Sequence, residues 1–220
     1  MTVTSPKSPK LILASVSPRR KDLLSKIAYP FEILESGVVE DETPGMTPRG
    51  FAEHLASLKA ASVVQGRTQE AQITLGADTV IDLDGHILGK PEDPSDAVRI
   101  LKELRARDHR VVTAVCLLKE EGANRSLFSV ATNVRMRDYS DKEIGIYVES
   151  GEPMDKAGAY AVQGLGGNLV ASVQGCYNNV VGLPLCEVVR RLISLGLPLD
   201  PQRAYCRLAS GERCPGGGVR

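Results

Sequence analysis

The stretch Leu11-Ile-Leu-Ala-Ser-Val-Ser-Pro-Arg-Arg-Lys-Asp-Leu-Leu24 decides how the rest of the chain is read. Its first residues form a short apolar strand that breaks at two serines and enters a helix through Pro18. Ser17 stands where an N-cap belongs, and proline is favoured at the first helical position because its missing N–H costs nothing there. Arg19 and Arg20 then fall in the first turn, where the positive end of the helix dipole repels them. Such a pair fits an anion bound at the strand end. Free N–H groups, the hydroxyls of Ser15 and Ser17 and two guanidiniums would make a phosphate cradle there. It fits a solvated surface pair equally well.

Outward from this unit, strand-like and helix-like segments alternate, which indicates an α/β or α+β architecture. Phe31 to Ser36 reads as a strand, and Thr47-Pro48 opens a helix with Phe51, Leu55, Leu58 and Ala61 at helical spacing. Ile73 to Ile81 is a strand, and Asp82-Leu-Asp-Gly85 turns it into His86-Ile-Leu-Gly-Lys90. A helix begins at Pro94 and buries Ala97, Ile100, Leu101 and Leu104. Two long strands, 111–118 and 127–136, flank a Glu-Glu-Gly-Ala-Asn turn. Ser140 and Glu143 have capping-box spacing, so a helix runs from there to about Ser150. A glycine-rich stretch, 151–182, precedes a last helix from Pro184 to Leu195 with Gly196 as its stop. Within that stretch, Gly175 to Pro184 reads as a structural strand–turn–helix entry.

Length and composition set the bounds. The chain has 220 residues, enough for one large domain or two small lobes with a sizeable core. Basic and acidic residues are equal at 27 each, which argues against a broad attraction to nucleic acid or to an anionic membrane. Any anion site must be local. No apolar run approaches the roughly 20 residues of a membrane span, and the polar N-terminus lacks the apolar core of a signal peptide. Five cysteines without paired spacing indicate an intracellular, reduced protein. Residues 1–9 and 199–220 read as disordered ends around a single domain, 10–198.

Several residues stand out against this background. Asp78 and Thr79 interrupt an apolar strand, and a buried aspartate is expensive without a partner. Asp78 therefore either caps a turn or faces a cleft where a cation compensates it. Gly76 just before it lets backbone or ligand approach closely. The hairpin after this strand brings Lys90 within reach of Asp78. Read alone, Lys59 is a surface lysine late in an amphipathic helix, and Glu40 belongs to a solvated acidic loop. Gln163 lies at the centre of Gly158-Ala-Tyr-Ala-Val-Gln-Gly164, where an amide could match the N–H and C=O of a uracil or thymine edge. The three histidines lack zinc or triad spacing, and no glycine run matches a Walker or dinucleotide loop.

Together these blocks resemble the Maf family of nucleoside triphosphate pyrophosphatases. The landmarks are Ala14-Ser-Val-Ser-Pro-Arg-Arg20, Glu40, Lys59, Gly76-Ala-Asp-Thr-Val80, Leu88-Gly-Lys-Pro91, the run Tyr147 to Tyr160, Gln163-Gly164 and Asn179-Val-Val-Gly-Leu-Pro184, in family order. The resemblance implies the inosine-triphosphatase-like α/β fold, a long twisted mixed sheet with helices and two lobes around a nucleotide cleft, in a cytoplasmic homodimer. It implies the branch that hydrolyses dTTP and UTP, with Asp78 as proton acceptor. Arg19, Thr79 and Gln163 then govern substrate choice, and Ser15, Ser17, Arg20 and Lys59 bind substrate. Glu40 and Lys90 complete the catalytic site, and Glu40 and Asp78 hold a divalent cation, Mg²⁺ or Mn²⁺. The rival readings are a pyrophosphatase for methylated nucleotides such as 7-methyl-GTP, and a nucleotide-binding regulator of cell division. Neither nucleic acid nor membrane is an expected partner.

Overall fold

The computed structural model describes residues 8–40, 45–64, 72–119 and 124–200. The expected disordered ends lie largely outside these residues, as do most of the acidic loop after Glu40 and the turn at 120–123. One seven-stranded mixed sheet organises the chain. Strand β1 (Lys10–Leu13) runs parallel to β2 (Phe31–Ile33) on one side and to β3 (Gln72–Leu83) on the other. Strands β5 (Asp108–Lys119), β6 (Asn124–Met136) and β7 (Val170–Gln174) continue antiparallel from β3. The short β4 (His86–Leu88) folds back on the far end of β3. This is the long mixed sheet that the resemblance implied.

Strand ends differ from the sequence reading. β2 stops at Ile33 rather than Ser36, whereas β3, β5 and β6 all run longer than their apolar stretches. Ladder bonds between neighbouring strands extend past the apolar segments, carrying polar residues such as Asp82 and Arg110 into register. Gly175 to Pro184 holds no strand of its own beyond β7. It contains one short helix, α5 (Tyr177–Val181).

The faces of β3 show where the site must lie. Side chains alternate along a strand, so Ile73, Leu75, Ala77, Thr79, Ile81 and Leu83 share one face. Ile73, Leu75 and Ala77 pack with helices α1 (Pro18–Ser25) and α6 (Leu185–Ser194) through Leu24, Val188 and Leu192. Ile81 and Leu83 join a separate cluster with α3 (Pro94–Leu104) and α4 (Asp141–Glu149), through Leu101, Leu104 and Ile144. Thr79 falls between the two clusters, beside Thr113 of β5. The cleft opens at this polar gap in the apolar face.

The opposite face of β3 carries Gly76, Asp78 and Val80 beneath α2 (Pro48–Val64). A Cβ on Gly76 would sit 2.3 Å from the Ala56 carbonyl oxygen and 2.5 Å from the Ala60 nitrogen. Here the glycine admits backbone rather than ligand. Of the expected face of α2, Phe51 and Leu55 are buried, but Leu58 is 41% exposed and Ala61 is exposed as well; Ala52, Ala56 and Ala60 are buried beside the first two. Over Gly76 only alanine fits between helix and strand, and the same seating of the helix also buries Lys59.

The helices otherwise follow local rules. Asp93 caps α3 by accepting from Asp96 N–H at 2.8 Å, and the four residues expected on its buried face are all buried. Ser140 and Glu143 form the complete capping box of α4. Ser17 occupies the N-cap position of α1, but its side chain makes no cap bond.

Two glycine substitutions test this packing. Gly76→Ala should lose about 1–3 kcal/mol or more, because the added methyl meets backbone. Gly145→Ala, inside α4 where a Cβ meets nothing within 4 Å, should gain about 0.5–1 kcal/mol. Thermal denaturation of both variants checks the sign of each.

Candidate active site

The turn between β1 and α1 builds one wall. Ala14 N–H donates to the Leu75 carbonyl at 2.8 Å, tying the end of β1 to β3. Ser15 Oγ accepts from Ser17 N–H and from Arg20 Nη1, both at 3.3 Å. Arg20 also donates from Nε to the Gly182 carbonyl and from Nη2 to Thr79 Oγ1, each at 3.0 Å. Burial lowers the Arg20 pKa from its ordinary value, while the charges of Asp78 and then Glu40 oppose that shift. The two arginines are therefore unequal. Arg20 is a tie across three segments, whereas Arg19 faces the cleft rim and pairs with Asp155 at 3.7 Å.

At the floor, α2 delivers Lys59 to Asp78. Lys59 is only 5% exposed, against the surface position that its helical context suggests. Its Nζ lies 2.6 Å from Glu40 Oε1 and 2.7 Å from Asp78 Oδ1. Lys90 reaches Glu40 Oε2 at 3.0 Å, so its ion pair is with Glu40 rather than with the expected Asp78. The reason is geometric: the position beside Asp78 is filled from α2 before the hairpin can reach it. Partial burial raises the Glu40 pKa, but hydrogen bonds and charge from Lys59, then Lys90, outweigh it and hold the carboxyl at about 2. A buried ammonium is tolerable only with such compensation.

A polar chain that sequence reading missed supports Thr79. Thr113 donates its hydroxyl proton to the Asn179 carbonyl at 2.9 Å, so its contact with Thr79 must be a bond that Thr79 donates. Asn179 Nδ2 donates to the Val111 carbonyl at 2.9 Å and to Thr132 Oγ1 at 3.0 Å. Thr132 donates onward to the Cys176 carbonyl at 3.1 Å. Thr113, Thr132 and Asn179 are all buried. The available signal was a threonine in the middle of Val111-Val-Thr-Ala-Val-Cys-Leu-Leu118 and an asparagine pair at a helix start.

The glycine-rich segment forms the facing wall, folded as 3₁₀ turns at Glu152–Asp155, Ala157–Ala159 and Gly164–Leu169. Gly158, at φ +69°, donates to the Gly89 carbonyl at 2.9 Å and so docks this segment on the β4 hairpin. Tyr160 lines the cavity with its hydroxyl 2.6 Å from His109 Nε2, behind the wall. Ser15, Ser17, Arg19, Arg20, Glu40, Lys59, Asp78, Thr79, Lys90 and Gln163 all line one cavity of about 440 Å³. The sequence candidates thus converge, and Lys156 and Tyr160 join them.

Two carboxylates drawn onto one cation, Lys59 Nζ, present the hard oxygen donors that Mg²⁺ and Mn²⁺ take. Among the described residues no group of three or more His, Cys, Asp or Glu could hold a metal. The fit is to an ion that takes few protein ligands and completes its shell with water and phosphate oxygens.

A family model described as Maf-like protein matches residues 10–195. The chain is 42% identical over 191 residues to the dTTP/UTP pyrophosphatase of Geobacter metallireducens, covering 87% of this chain and 98% of that protein. It is 43% identical over 189 residues to the dTTP/UTP pyrophosphatase of Pelotomaculum thermopropionicum, covering 85% and 97%. Among solved structures, the Staphylococcus aureus Ham1 protein aligns at 14% identity and a TM-score of 0.44, over 74% of this chain and 80% of that one.

The wall behind the cavity has a pH signature. Burial pushes His109 down from 6.5 to about 4, with the Asp108 charge opposing. Unfolding lets this histidine take up a proton, so its contribution to stability is complete above pH 6.5 and is lost as pH falls from there to about 4. The loss should be on the order of 3 kcal/mol. Thermal melts across this range should show a slope that His109→Gln flattens.

Proposed function

The chain belongs to the Maf family, and on that footing we propose that it hydrolyses dTTP and UTP to the nucleoside monophosphate and pyrophosphate. The observation that carries this reading is the single cavity in which Asp78, Glu40 and the cationic side chains meet. Relatives named dTTP/UTP pyrophosphatase, similar over nearly their whole length, support the substrate class. We also propose a cytoplasmic homodimer, on the family resemblance. Among the described residues no helix is long and apolar enough to cross a membrane.

Asp78 accepts a proton from the attacking water and directs its oxygen at the α-phosphorus. The new oxygen–phosphorus bond forms as the bond to the bridging oxygen of the β-phosphate breaks. A divalent cation, held by Glu40 and Asp78, would supply charge neutralisation to the phosphates and acidity to water. Lys59 keeps the two carboxylates oriented and, with Lys90, adds positive charge where the triphosphate lies. Arg19 contacts the polyphosphate from the rim. The Ser15 and Ser17 turn offers it hydroxyls and N–H groups at the start of α1. Arg20 is already engaged by Ser15, Gly182 and Thr79, so it contributes charge and shape more than a new contact. Gln163 pairs with the imide edge of uracil or thymine, and Thr79 offers a remaining lone pair, its own proton being committed to Thr113.

Asp78→Asn should cut turnover about a hundredfold or more, and the folded variant should melt at a lower temperature because Lys59 keeps only Glu40 as a counter-ion. Chelation with EDTA should stop pyrophosphate release, and either Mg²⁺ or Mn²⁺ should restore it. Near-normal hydrolysis in Asp78→Asn removes that carboxylate from its role. Gln163→Ala should narrow the preference for UTP over GTP by about tenfold, the size of one lost buried hydrogen bond. An unchanged ranking of nucleotides counts against base reading by this amide.

A further inference from the structure

We infer that Glu152 is the positioning residue for nucleobase choice: its carboxylate seats the Gly164–Leu169 turn and so sets where the Gln163 amide stands in the cleft. This rests on the proposed reading of the base edge by Gln163. Glu152 is not part of the cavity lining, whereas Gln163 is. Its action is therefore indirect, through the backbone.

The seat is complete on both oxygens. Glu152 Oε2 accepts from Leu165 N–H and Oε1 from Gly166 N–H, each at 3.1 Å, and Oε1 also accepts from the Tyr147 hydroxyl at 3.2 Å. Two consecutive N–H groups at the start of a 3₁₀ turn meet a bidentate carboxylate, the strong, charge-assisted form of this contact. Gln163 stands at the N-cap of the same turn, and its side chain makes no cap bond to it. The turn's own anchor therefore fixes the residue that enters the cleft.

Glycine usage supports the same assignment. Gly164 has φ +71°, and a Cβ there would lie 2.9 Å from Glu152 Oε2. At Gly166, a Cβ would lie 2.5 Å from the Tyr147 hydroxyl. The space that side chains would take is filled by the carboxylate and its phenol partner. The carboxylate is also favoured in its charged form: desolvation pushes its pKa up, and the N–H groups of Gly166 and Leu165, the Tyr147 hydroxyl and the Lys156 charge together more than reverse this.

The test uses the full chain and the ratio of kcat/KM for UTP to that for GTP. In Glu152→Gln, the amide offers one acceptor and turns its NH₂ toward an N–H. This variant should lower the ratio by about tenfold, as Gln163→Ala does, mainly by raising KM for UTP. The double variant should fall no further, because both changes disable one device. A ratio preserved in Glu152→Gln but collapsed in Gln163→Ala overturns the inference and leaves the base reading standing. A ratio unchanged in Gln163→Ala overturns the base reading and this inference with it. Should Glu152→Gln fail to fold, amide exchange in the unmodified protein decides. Leu165 and Gly166 amides should exchange at least about tenfold more slowly than unprotected amides, and exchange at the unprotected rate overturns the seat.

Discussion

The ammonium of Lys59, buried between Glu40 and Asp78, is the interaction on which the site depends. Removing an ammonium from water costs several kcal/mol, and nothing in an apolar helix face would tolerate it without two anions at contact distance. The contact exists because α2 lies against β3 closely enough to bring the lysine down to the sheet, and that approach needs Gly76 below with Ala56 and Ala60 above. A packing choice between a glycine and two alanines thus becomes an electrostatic centre. Lys90 balances the remaining charge from the hairpin side. The resulting quartet sets two cationic against two anionic side chains at one end of the cleft.

The second constraint is the break in the apolar face of the sheet. Leucine, isoleucine and valine form one cluster under α1 and α6 and another under α3 and α4, and threonines occupy the boundary. A buried hydroxyl must have partners, and here each is oriented by the next, from Cys176 through Thr132, Asn179 and Thr113 to Thr79 and Arg20. The ordering leaves no freedom for Thr79 to turn its proton into the cleft. It also couples the floor of the cleft to α5, a helix whose own chemistry is silent.

Much of this was legible in the sequence, and the reasons are local. The Pro18 and Pro94 helix entries, the Ser140 cap and the buried face of α3 rest on neighbours within a few residues, so spacing alone reveals them. Asp78 was legible because an acid in an apolar strand needs an explanation. The partners were not. Lys59 looks like a surface lysine until the tight approach of α2 is known, and Leu58, the more apolar neighbour, draws attention to the wrong helix face. Which lysine meets which carboxylate depends on the relative height of α2 and the β4 hairpin, which no local pattern encodes. Thr113, Asn179 and Glu152 escaped for a related reason. Their residue types are ordinary for a strand, a helix start and a turn, and only long-range contacts give them work.

The continuity of β3 and β5 has a mechanical consequence. Both strands pass unbroken beneath the cleft and contribute to both apolar clusters, so neither half of the molecule can loosen while the other stays intact. Such a scaffold melts as one cooperative body. Breathing that admits a nucleotide must then come from the segments above the sheet, leaving the floor a rigid anvil through each turnover.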